Sequence, residues 1–120
     1  VTWGNCIEQA TEAANEVADE CEVEIIDLRS IQPWDKETIL KSVEKTGRLV
    51  IVQEDGRSCS VGQMIITDLM SDDEGFCHFV SAPRLVAKQD IHIGYNPIYE
   101  YAALPDVDDV VAAIEVTLRE

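Results

Sequence analysis

Apolar positions recur along this chain with a period that changes from segment to segment, and the changes mark the elements. From Asn5 to about Glu20 the period is helical, with Ile7, Ala10, Ala14, Val17 and Ala18 on one face and Glu8, Glu12, Glu16 and Asp19 opposite. Carboxylates four residues apart repel, so this helix must be held by its small apolar face, which suits close packing on a sheet. Glu22 to Leu28 reads as a strand, and the adjacent Ile25 and Ile26 point to burial on both faces, as in a parallel sheet. Pro33-Trp34-Asp35 then opens a helix with Asp35 as N-cap and Trp34 placed to pack on Ile39. Ile39, Leu40 and Val43 form its buried stripe, Lys45 suits the negative end of its dipole, and Gly47 offers a left-handed stop.

Leu49 to Val52 predicts a buried strand that ends at Gln53-Glu54-Asp55-Gly56. Ser60-Val61-Gly62 leads into another helical stretch, Val61 to Met70, closed by the acidic turn Ser71 to Gly75, while Phe76 to Phe79 fits either pattern. Arg84 to Ala87 predicts a short strand and Gln89 to Leu104 a loop. Asp106 caps a last helix in which Val107, Val110, Val111, Ile114 and Leu118 share a face. Strands alternating with helices predict a three-layer α/β sandwich with right-handed crossovers. Val1-Thr2-Trp3 before Gly4-Asn5 reads as the end of a strand feeding a helix, so we expect a single domain over 1–120 cut from a longer polypeptide. No apolar run approaches the ~18 residues of a membrane-spanning helix.

Charge changes the picture more than composition does. Nine Lys and Arg against 24 Asp and Glu give a net charge of −15, which disfavours binding to nucleic acid or anionic lipid. No basic residue precedes Arg29, six of the nine lie between Arg29 and Arg57, and the last third is acidic again. A basic partner therefore fits this surface and an acidic one does not, although a plain solvated acidic surface accounts for the same residues. Asp106, Asp109 and Glu120, at the two ends of the last helix, are the candidate partner-docking residues.

Catalytic and metal motifs are weak. Cys6, Cys21, Cys59 and Cys77 form no CxxC, and with only His78 and His92 beside them no zinc site of standard spacing can be written. Cysteines set in or beside helices and strands, without paired spacing, point to free thiols in a reducing, intracellular setting. Gly56-Arg57-Ser58-Cys59-Ser60 approximates a nucleophile elbow, with His92 and Asp90 or Asp68 to complete a triad, but Ser60 stands where the second glycine belongs. The same loop could hold an anion on free N–H groups with Arg57, or activate Cys59; an ordinary turn at the carboxyl end of a parallel strand, with an inert thiol, is the favoured reading.

In this order, the segments Val1 to Gly4, Glu24-Ile25-Ile26-Asp27-Leu28-Arg29-Ser30-Ile31, Pro33 to Ile39, Lys45-Thr46-Gly47-Arg48-Leu49 and Glu54 resemble the C-terminal domain of the beta subunit of 2-oxo acid dehydrogenases, within the transketolase C-terminal domain superfamily. Ala82-Pro83-Arg84, Asp90, Tyr95, Glu100 and Leu104-Pro105 continue the likeness. The resemblance implies a three-layer α/β/α sandwich around a mostly parallel, mixed sheet of about five strands. It implies a parent enzyme, pyruvate or branched-chain 2-oxoisovalerate dehydrogenase, that uses thiamine diphosphate and magnesium to decarboxylate a 2-oxo acid and pass the acyl group to a lipoyl arm. This domain would itself supply no catalytic, cofactor-binding or metal residue and be inactive alone. Its implied partners are the alpha subunit and a second beta subunit in a heterotetramer, and the small basic binding domain of the lipoyl acyltransferase. The implied location is the cytoplasm, or the mitochondrial matrix in a eukaryote.

Two loops depart from the family pattern. Ser60-Val61-Gly62-Gln63-Met64 replaces a G-x-G-x-E stretch, and Asp90-Ile91-His92-Ile93-Gly94 replaces D-x-P-x-P, losing both prolines. Two other readings stay open: another transketolase-like enzyme, or a free-standing anion-binding module using the loop from Gly56 to Gly62.

Overall fold

A helix start and stop written into the thirteen residues from Asp35 to Gly47 sets the first fixed point of the fold. In a computed structural model that describes all 120 residues, helix α2 spans Lys36–Thr46. The Asp35 carboxylate accepts from the backbone nitrogen of Thr38 at 3.0 Å, and Gly47 closes the helix at φ +70°. A side chain at Gly47 would be strained by that φ and would also meet Val80, 2.7 Å from where its Cβ would stand. Ile39 and Val43 are fully buried, with Trp34 packed against their cluster as expected.

The elements run α1 (Cys6–Glu16), α2, β1 (Val50–Gly56), α3 (Val61–Met70), α4 (Asp73–Cys77), β2 (Arg84–Lys88), α5 (Pro97–Ala103) and α6 (Val107–Arg119). β1 and β2 are parallel, Ile51 facing Leu85 and Val52 facing Val86. Alternation along β1 divides the interior. Ile51 packs with Ile39, Val43, Ile65 and Leu69 from α2 and α3 on one face, and Val52 packs with Cys6, Ala13, Val110 and Ile114 from α1 and α6 on the other. This is the expected three-layer α/β/α arrangement, and no helix is long and apolar enough to cross a membrane.

The sheet has fewer strands than the five or so expected. Beyond β1 and β2 it continues only as single parallel bridges from Thr2 to Val52 and from Thr2 to Asp27. Glu22 to Leu28 is thus extended but not a strand, and Ile25 and Ile26 are half-buried instead of enclosed on both faces. Its one pairing partner is the short run at Thr2, which offers a single bridge. The buried stripe of α1 also differs: Cys6, Ala10, Ala13 and Val17 are buried, because the helix ends at Glu16 and leaves Ala18 in an exposed turn.

Two segments became helical. The acidic turn contains α4, started by the Asp72 carboxylate at the nitrogen of Glu74. The stretch read as a loop contains α5, started by the Asn96 side chain at the nitrogen of Ile98, 2.9 Å away, with Pro97 in the first turn, where its missing N–H costs nothing.

Candidate interaction surface

The carboxyl ends of β1 and β2 bring Ser58 and Asp90 together. The Ser58 hydroxyl donates to Asp90 Oδ2 at 2.5 Å, and its backbone N–H donates to Oδ1 at 3.1 Å. These two bonds, the hydroxyl first, hold the Asp90 carboxyl below the usual carboxylate range. Neighbouring donors are also taken: Cys59 N–H donates to Gln63 Oε1 at 3.0 Å, and Gly62 N–H to the buried Gln53 Oε1 at 2.9 Å. Ser60 caps α3 through the nitrogen of Gln63. Five of the seven N–H groups from Arg57 to Gln63 are thus engaged within the protein, those of Ser60 and Val61 excepted. Ser58 is paired with the acid directly and not through His92, which is exposed, so the triad is not assembled. Cys59 adopts φ +55° and is exposed, with no histidine bonded to it.

The acidic candidates lie on α6. Asp106 and Asp109 form a reciprocal capping box: Asp109 N–H donates to Asp106 Oδ1 at 3.0 Å, and Asp106 N–H to Asp109 Oδ2 at 3.2 Å. Glu120 is at the other end, paired with Arg84 and accepting from the nitrogen of Ala82 at 3.2 Å. Thirteen residues of helix separate the two ends by roughly 20 Å, so the three carboxylates do not form one cluster. The Gln9 side chain donates to the carbonyl of Pro105 at 2.9 Å, so α1 and α6 start from the same end of the layer. Glu8, Glu12, Asp106, Asp108 and Asp109 are all exposed there, and none is ion-paired. Two helix N-termini favour that negative charge.

The pattern analysis missed the largest exposed apolar surface. Ile91, Ile93, Tyr95, Ile98, Tyr99 and Tyr101 are all exposed, Tyr95 completely, and they include every tyrosine in the chain. Only Ala103 of α5 is buried, so this helix displays its apolar side chains to solvent. Exposed aromatic side chains gathered in one stretch are the kind of surface that partners cover in other proteins. The available signal was the crowding of three tyrosines and three isoleucines into eleven residues.

No group of three or more His, Cys, Asp or Glu side chains converges as a metal site. These side chains offer no ligand set for a magnesium diphosphate.

Comparison with known proteins places these features in context. The family model for "Transketolase, C-terminal domain" matches residues 1–110. The chain is 46% identical over 120 residues to the pyruvate dehydrogenase E1 component subunit beta of Staphylococcus aureus, covering 99% of this chain and 36% of that protein. It is 32% identical over 120 residues to the acetoin:2,6-dichlorophenolindophenol oxidoreductase subunit beta of Cupriavidus necator, with 99% and 35% covered. The chain thus spans about a third of the length of the curated relatives it matches. Among solved structures it superimposes on a split gene transketolase, an inactive beta4 tetramer, with a TM-score of 0.80 and 23% identity, over 98% of this chain and 38% of that one.

Proposed function

This chain belongs to the transketolase C-terminal domain family, and from that premise we propose that it is the assembly domain of a thiamine-diphosphate-dependent 2-oxo acid dehydrogenase component. The observation that carries the reading is the apolar stretch from Ile91 to Tyr101, which a lone domain would leave wet and an enzyme interface would cover. Its neighbours in sequence, beta subunits of pyruvate dehydrogenase and acetoin oxidoreductase, are parts of multi-subunit enzymes by name, which supports the same reading. The domain contributes surface and the rest of the parent enzyme contributes thiamine diphosphate, magnesium and the reacting groups. The proposed partners are the alpha subunit and a second beta subunit across the apolar stretch, and a basic binding domain of a lipoyl acyltransferase at the acidic residues Asp106, Asp109 and Glu120.

The test uses the full-length parent coexpressed with its alpha partner. Ile98→Ser with Tyr99→Ser and Tyr101→Ser should lower the assembled mass by sedimentation and reduce oxidative decarboxylation with it. Full assembly of that variant would overturn the interface. Acetoin turnover without 2-oxo acid turnover would replace the reaction class by that of the Cupriavidus relative. For the acidic end, Asp106→Asn, Asp109→Asn and Glu120→Gln remove charge while keeping hydrogen-bond acceptors. Binding of a basic domain should then weaken most at low salt.

A further inference from the structure

Strand β2 ends the sheet on one side, and its outer edge has no partner. The Arg84 N–H donates to the carbonyl of Leu49 at 2.9 Å and the Lys88 carbonyl accepts from Arg57 at 3.1 Å, so Arg84, Val86 and Lys88 bond towards β1. Alternation turns the N–H and C=O groups of Leu85 and Ala87 the other way, where no loop or side chain bonds them. Free edges of this kind are normally covered or blocked. Here an open groove of about 410 Å³ runs beside the edge, lined by Ala102, Ala103 and Leu104 at the end of α5 and by Ala113 of α6. Side chains this short leave width for a second backbone at the ~4.8 Å spacing of paired strands.

The charge beside this edge departs from that of the whole molecule. Two residues lining the groove are basic, Arg57 and Arg84, and one is acidic, in a chain where acids outnumber bases 24 to 9. The Arg57 side chain is exposed and ion-paired to nothing. Arg84 pairs with Glu120 through Nη2, yet its Nε is buried without an acceptor. A buried donor left in that state costs free energy that an arriving acceptor recovers. The lining carboxylate, Asp109, has Oδ2 engaged by the N–H of Asp106 at 3.2 Å.

We propose that the edge of β2 takes an extended segment of another polypeptide as an added strand, with a carboxylate side chain at each end of the segment and an apolar one between. Residues four apart on a strand share a face and lie about 13 Å from each other. Arg84 stands at one end of that span and Arg57, bonded at the level of Lys88, at the other, with Val86 midway. The segment that fits therefore has acids at its first and fifth positions and a β-branched residue at the third. Its backbone bonds the outward groups of Leu85 and Ala87. A second copy of β2 fits poorly, since antiparallel pairing about Val86 sets Arg84 against Lys88 of the other copy. This site is independent of the assembly role.

The test is an NMR titration of this chain with two peptides, acetyl-Glu-Thr-Val-Thr-Glu-amide and acetyl-Lys-Thr-Val-Thr-Lys-amide. The acidic peptide should shift the amide resonances of Leu85 and Ala87 and bind about tenfold more tightly than the basic one. Arg57→Gln should remove most of that preference. Ala87→Pro deletes an N–H that β1 does not use, so it should keep a cooperative melt and abolish the shifts. Absence of the shifts at millimolar acidic peptide, or equal affinity for the two peptides, would overturn the proposal. Shifts at Leu85 and Ala87 that grow with protein concentration in the absence of peptide would overturn it too, by assigning the edge to a second copy.

Discussion

The side-chain carbonyl of Gln53 accepts from the backbone nitrogen of Gly62 at 2.9 Å, tying the end of β1 to the first turn of α3. Gln53 is fully buried and also donates to the carbonyl of Gly56 at 2.9 Å. Gln53→Leu should therefore cost about 1–3 kcal/mol, because it keeps the volume but orphans a buried donor. Urea denaturation measures it, and an unchanged midpoint would show that water replaces the amide. A Cβ at Gly62 would stand 2.6 Å from Gln53 Oε1 and 2.5 Å from Leu85, so Gly62→Ala strains the same junction.

Asp90 predicts an acid limb. Its carboxyl titrates below the ordinary range because Ser58 donates to the charged form, so the stabilisation is complete above about pH 4 and is lost as pH falls through the lowered value. Melting curves between pH 5 and 2 should fall less steeply for Asp90→Asn than for the parent. Parallel slopes would separate the Ser58 contact from stability.

Thiol chemistry predicts a hierarchy. Burial, aided by the charge of Glu54, raises the Cys6 thiol to about 11, whereas Cys59 and Cys77 are exposed and Cys21 is half-buried. An aromatic disulfide reagent at pH 8 should titrate Cys59 and Cys77 fast, Cys21 slowly and Cys6 only after denaturation. Rapid release of a full set of thiols would mean that the α1 layer opens easily.

These tests rest on features of unequal legibility. Helix α2 was readable because Asp35, Trp34 and Gly47 act within one turn of its ends, and the stripe of α6 because Val110 and Ile114 bury where the period puts them. The segment from Glu22 to Leu28 was not, since a strand exists only by pairing and its partner at Thr2 is one residue long. Helix α5 escaped because Ile98, Tyr99 and Tyr101 are apolar but exposed, and periodicity reads apolar as buried. The acidic candidates were found as charges; that Asp106 and Asp109 spend part of their bonding on a helix end is a matter of geometry.

The separation of aromatic side chains gives the molecule two optical reporters. Both tryptophans, Trp3 and Trp34, pack against the cluster built on α2 and α3, whereas all three tyrosines stand in the exposed stretch from 95 to 101. Indole emission thus follows the folded interior on one side of the sheet. Phenol absorbance follows only the surface proposed to meet a partner, so assembly and unfolding can be watched in one cuvette at different wavelengths.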